Sequence, residues 1–211
     1  MEADDGVAGG HASGIGGFHK KLIRNGELNM AQKREMTQNK KSGFSISDLI
    51  LVAVLLAAGA VLKATLAINF LGMKPNFVIA MYCLAILLIQ ADTFKARILQ
   101  ALIIGILAGA ICQFLPGTPW LNLLSEPVGG VVMALMLGVN MKIKKLDLSA
   151  AGATLVATIA SGSTFIPSLF VFNGVPAANL KAYIPVVLLT AVINAVIVQL
   201  LYLPLKKILK K

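Results

Sequence analysis

The sequence is poor in the side chains that do chemistry in water. Only 13% of its 211 residues are charged, nine are acidic, and its two histidines, His11 and His19, both lie in the polar N-terminal segment. The apolar part of the chain therefore has no imidazole base. That argues against an intramembrane serine protease built on Ser163, against an HExxH metalloprotease, and against an enzyme in general. No G-x-x-x-x-G-K-[ST] motif occurs, so any energy from ATP must come from another subunit. The two cysteines, Cys83 and Cys112, sit inside apolar runs, which speaks against a disulfide framework and against a metal site. No cofactor is expected.

What is abundant is apolar. Hydrophobic residues make up 57% of the chain and the mean hydropathy is +0.83, values outside the range of a water-soluble domain. The chain reads as an integral membrane protein. Its net charge of +10 does not point to nucleic acid, because the basic residues cluster at the ends of apolar runs. Residues 1–43 are polar and without apolar period, which predicts a disordered cytoplasmic tail. Within it, residues 1–29 read as an upstream extension or a mis-assigned start ahead of Met30 and Met36. Residues 44–211 form the membrane domain.

Six apolar runs follow, at about Ile46–Ala67, Asn76–Gln90, Ile98–Leu115, Leu121–Met141, Leu148–Phe172 and Tyr183–Leu205. A hydrocarbon core of about 30 Å asks for about 20 helical residues. Four runs satisfy that easily; the second is short, and Glu126 and Pro127 interrupt the fourth near its start. If all six cross, Lys33, Arg34, Lys40, Lys41, Lys95, Arg97, Lys142, Lys144, Lys145, Lys206, Lys207, Lys210 and Lys211 share the inner face. Lys63, Lys74 and Lys181 remain outside. A re-entrant second run would throw the Lys142–Lys145 cluster outward, against the positive-inside bias. The expectation is an all-α protein of six transmembrane helices with both termini cytoplasmic, in the plasma membrane of a prokaryote.

Two stripes of small residues stand out. Ala53, Ala57, Ala60 and Ala64 recur on one face of the first helix, and Ala101, Gly105 and Gly109 recur every four residues on the third. Such stripes let backbones approach closely where lipid gives helices no hydrophobic reason to associate. Each packs either inside this chain or against a partner subunit.

Polar groups gather toward the outer ends of the helices. The hexad Gly72-Met73-Lys74-Pro75-Asn76-Phe77 carries a cation and a proline suited to a first helical turn, so a helix is predicted to start at Pro75 with its N–H groups free for a carboxylate. Gln113 ends the third helix; Trp120, Asn122 and Glu126 open the fourth. Ser161, Thr164 and Ser168 share a face of the fifth, where Pro167 frees the Ser163 carbonyl. Tyr183 opens the sixth, and Asn194 lies near its middle. Each has a bland alternative: a headgroup-level acid for Glu126, a snorkelling lysine for Lys74, an interfacial anchor for Trp120 and an interhelical hydrogen bond for Asn194. Together they describe a site for a zwitterion with an apolar side chain: Lys74 for carboxylate, Glu126 for ammonium, and Phe77, Trp120 and Tyr183 for its body.

The hexad leading into Val78–Leu88, the alanine-striped first helix and the Phe114-Leu115-Pro116-Gly117 turn resemble the TrpP-type tryptophan transporters, substrate-binding (S) components of energy-coupling-factor transporters. The resemblance covers about Ile46 to Lys207. It departs at Asn76, where the family pattern has an acid, and at Leu115, which interrupts a Phe-Pro-Gly turn. It implies a six-helix S component that takes tryptophan, or a similar small amphoteric nutrient, from outside. A membrane-embedded coupling subunit with two cytoplasmic ATPases then topples it, meeting the first helix at Ala53, Ala57 and Ala60. A stand-alone secondary carrier and a vitamin-specific S component are the alternatives.

Overall fold

A computed structural model describes residue 26 and residues 43–65, 75–89, 91–115, 118–143 and 146–209. The polar tail, Gly72, Met73 and Lys74 of the hexad, and the Pro116–Gly117 turn lie outside the described residues. Contacts divide the chain into Met1–Lys41 and Ser42–Lys211, and the helices described below lie in the second unit.

That unit is built from helices α1 (Ile46–Thr65), α2 (Phe77–Leu88), α3 (Phe94–Cys112), α4 (Asn122–Met136), α5 (Ser149–Asn173), the short α6 (Ala177–Leu180) and α7 (Tyr183–Ile208). A 3-10 turn, Pro119–Leu121, precedes α4, and a two-residue hairpin, Lys142–Ile143 with Leu146–Asp147, joins α4 to α5. Local chemistry sets several ends. Ser45 and Asp48 form a reciprocal capping box at α1, with Asp48 N–H donating to Ser45 Oγ at 3.1 Å and Ser45 N–H to Asp48 Oδ2 at 3.2 Å. The Thr93 hydroxyl caps α3 by accepting from Ala96 N–H.

Four segments are long and apolar enough to cross a membrane: α1, α3, α5 and the stretch from α6 through α7. The other two are shorter than predicted. The 12-residue α2 reaches about 18 Å and the 15-residue α4 about 23 Å at 1.5 Å per residue. All of α2 is buried, in keeping with a helix apolar on every side, so it is the core that the others surround. Pro127 does not break α4, nor Pro167 α5.

The two small-residue stripes have opposite fates. Ala101, Gly105 and Gly109 are buried against α4: a Cβ on Gly105 would lie 2.7 Å from Pro127 Cα, and one on Gly109 2.7 Å from the Asn122 carbonyl oxygen. On α1 the buried residues are instead Val52, Leu55, Leu56, Gly59 and Lys63, with Gly59 pressed on the Val78 backbone of α2. Ala53, Ala57 and Ala64 face away from the bundle and are exposed, and Ala60 is half-buried at the flank.

Basic residues collect at one end. Arg97 approaches the Leu137 carbonyl, bringing the start of α3 to the end of α4. Gln199 of α7 donates to the Asp147 carbonyl at 2.9 Å and accepts from Ala151 N–H at 3.1 Å, tying the hairpin and the start of α5 to the last turns of α7. Lys95, Arg97, Lys142, Lys206 and Lys207 thus share that end. There the Ser149 hydroxyl and N–H hold the exposed Asp147 carboxyl below its usual range. At the far end of α5, Gly174 adopts the left-handed conformation with φ 63°, and the Val175 N–H returns to Leu169 O. Gly174→Val is expected to cost about 1–2 kcal/mol, because a β-branched residue is strained there; a thermal melt in detergent reads this, and an unchanged midpoint refutes it.

Candidate functional site

Glu126 is the centre of the site. It lies one turn into α4, only 1% exposed, and its carboxylate is held from two sides. Asn76 Nδ2 donates to Oε1, and Ser161 Oγ donates to Oε2 at 3.1 Å. Asn194, fully buried, donates through Nδ2 to the Asn76 carbonyl oxygen at 3.2 Å. Ser161 sits halfway along α5 and Asn194 near the middle of α7, about 17–21 Å from either helix end at 1.5 Å per residue. Glu126 is therefore an acid at mid-depth in the bundle and not a headgroup-level one.

The start of α2 differs from expectation. Asn76 is the N-cap and Pro75 stands before it, so the helix begins at Phe77. Asn76 makes no side-chain cap bond; its Nδ2 instead donates to Glu126, so a carboxylate of the chain itself lies against the side chain at this helix start.

Lys63, an outer-face charge by its place in the sequence, is turned into the bundle: only 6% of it is exposed, and its Nζ lies 3.6 Å from Cys112 Sγ. The signal for it was available. Val52, Leu55, Leu56, Gly59 and Lys63 follow helical spacing on one face, so the lysine continues the buried stripe. Tyr82 was missed as well. It is fully buried on α2, with its hydroxyl against Gly129 and close to Glu126 and Ser161.

Other expected site residues are engaged elsewhere. Gln113 Nε2 donates to the Gly109 and Pro119 carbonyls, both at 2.9 Å, which fixes the turn from α3 to α4. Thr164 and Ser168 hydroxyls bond back to Ala160 O and Thr164 O within α5. Trp120 packs edge-on against Phe172, ring centroids 5.3 Å apart, at the end of the bundle opposite the basic residues. Phe77 is buried beside Asn76, Asn122 is buried at the first turn of α4, and Tyr183 is half-buried at the start of α7. Lys74 lies outside the described residues.

A carboxylate buried beside the middle of α5, with a buried ammonium near the end of α1, in a bundle of long apolar helices marks a multi-pass membrane protein. The model of the tryptophan transporter TrpP family matches residues 45–210, and the chain belongs to that family. A "Probable tryptophan transport protein" of Clostridium acetobutylicum is 32% identical over 168 residues, covering 77% of this chain and 94% of the relative. One of the same description in Bacillus subtilis is 28% identical over 167 residues, covering 78% and 93%. No solved structure matches the chain. The family is one of transporters and not of enzymes, and the protein is a multi-pass plasma-membrane protein of prokaryotes.

Proposed function

We propose that this chain captures tryptophan for import and is the S component of an energy-coupling-factor transporter. It binds at the Glu126 cluster and is moved by a separate coupling subunit with two ATPases. The observation that carries the capture role is a hydrogen-bonded carboxylate buried midway along α5 and α7, since an ionisable group at that depth persists only where it has a partner or a task. Phe77, Trp120 and Tyr183 supply ring contacts to the indole, and Asn122 lines the approach to Glu126. Gln113, Thr164 and Ser168 serve the helices.

Both termini are cytoplasmic on this reading, because Lys95, Arg97, Lys142, Lys206 and Lys207 share one end of the bundle. The dependence on partners is supported by the family resemblance and by Ala53 and Ala57, small residues turned away from their own bundle.

The test is uptake of labelled tryptophan in a bacterial host without its own tryptophan permeases. Co-expression with the coupling subunit and ATPases is expected to give uptake; the chain alone is expected to bind tryptophan without accumulating it. Accumulation by the chain alone makes it a stand-alone secondary carrier, and retention of a vitamin in place of tryptophan gives the site another ligand.

A further inference from the structure

Two buried amide oxygens, Asn76 Oδ1 and Asn194 Oδ1, have no partner among the described residues. The orientation of both amides is determined. Asn76 Nδ2 meets a carboxylate oxygen and Asn194 Nδ2 meets a carbonyl oxygen, so turning either amide would set oxygen against oxygen. Each amide oxygen is thus left as an acceptor out of water, one on the side chain that holds Glu126 and one on the side chain that holds the Asn76 backbone. What such a set lacks is a donor. Glu126 with the two amide oxygens offers three acceptors, the number of N–H groups on a primary ammonium.

The opposite need exists at Lys63. Its side chain is buried, and among the described residues its ammonium has the Cys112 sulfur, a weak acceptor, as hydrogen-bond partner. Gly105 and Gly109 of α3 touch α4 at Glu126 and at Asn122, and Cys112, next along the same face of α3, carries the Lys63 ammonium to the end of α4 at which Glu126 lies. A buried ammonium held by little more than a thiol is a place for an anion.

We propose that these groups form a head-group subsite that recognises a free α-amino acid by both of its charges. Lys63, with Cys112 beside it, receives the carboxylate; Glu126, Asn76 Oδ1 and Asn194 Oδ1 receive the ammonium. The inference rests on the capture reading above and deepens it by naming the chemical class: an unblocked zwitterion. The cation of the site is Lys63 of α1, a role the hexad's Lys74 was expected to fill. A ligand carrying one of the two charges leaves the other buried group without its counter-ion, so selectivity against amines and acids is built into the site.

The experiment measures binding to the purified full chain in detergent by calorimetry. The ligands are L-tryptophan, tryptamine, which lacks the carboxylate, and indole-3-propionate, which lacks the ammonium. On the wild type both analogues are expected to bind about 100-fold or more weaker than tryptophan, the scale on which losing one buried charged partner is felt. Lys63→Met is expected to weaken tryptophan by about 100-fold and to leave tryptamine within about threefold. Glu126→Gln is expected to do the same to tryptophan while sparing indole-3-propionate.

A second measurement needs no variant. Tryptophan, and not tryptamine, should slow alkylation of Cys112 by a small membrane-permeable thiol reagent, read by mass spectrometry of the Cys112 peptide. Equal affinity of the three ligands overturns the subsite while leaving capture intact, as does an equal loss of tryptophan and tryptamine in Lys63→Met. Failure of tryptophan to bind the wild type at all overturns the capture reading itself.

Discussion

Gly105→Leu is expected to leave little folded protein. A Cβ at this position would stand 2.7 Å from Pro127 Cα and 2.8 Å from the Glu126 carbonyl oxygen, both backbone atoms that no rotamer change can move aside. The contact is reciprocal: a Cβ on Gly130 of α4 would come 2.6 Å from the Ala101 carbonyl oxygen of α3. A longer side chain has to push the two helices apart along their whole seam, and overpacking of this kind costs about 3 kcal/mol or more where the backbone cannot yield. Because the obstructed atoms belong to Glu126 and its neighbour, the surviving fraction is also expected to lose ligand affinity. Size-exclusion profile and thermal midpoint in detergent report the outcome. Leu107→Phe, on the outward side of the same helix, is the control expected to change neither. A Gly105→Leu protein with the wild-type midpoint would mean that the α3–α4 seam is looser than these distances require.

Such a seam was visible in the sequence, since glycine and alanine every four residues have one reason to recur on a membrane helix, close backbone approach. Which stripe turns inward was not. The Ala53–Ala64 and Ala101–Gly109 patterns are alike in spacing, and the face each presents depends on the residues between them. On α1 the larger Val52, Leu55 and Leu56 take the interior and leave the alanines outside. The helix runs themselves were legible to within a few residues, because apolar length and punctuation by Gly, Pro and charge are local properties. The depth of Glu126 was not legible, for it depends on which level of α5 meets the start of α4. Position along the chain put Glu126 at a helix entrance; packing put it beside the midpoint of α5 and on Asn76, which the middle of α7 holds. Lys63 was hidden by the same projection. A lysine two residues from a helix end looks like an interfacial charge until its place on the Val52–Gly59 face is counted. Hydroxyls such as those of Thr164 and Ser168 carried no warning that they bond back along their own helix.

Ala57→Trp is expected to abolish uptake while leaving tryptophan binding unchanged. Ala57 is exposed, with exposed Ala53 and Ala64 and half-buried Ala60 along its face, so an indole there points away from its own bundle. The isolated chain should therefore keep its thermal stability within about 0.5 kcal/mol, as for a surface substitution away from special features. Lipid alone gives no reason to keep this face small, because leucine and alanine are equally at home against acyl chains. A partner helix that must approach closely does. On the proposed reading that partner is the coupling subunit. An overpacked helix contact costs about 1–3 kcal/mol, and at 1.4 kcal/mol per decade that lowers partner affinity by about 5- to 100-fold. The split between two assays is what gives the substitution its force: binding reads the Glu126 cluster on the inner side of α1, and uptake reads the alanine face on the outer side. Loss of both in parallel would place the damage in the bundle, and uptake at the wild-type rate would return the stripe to lipid.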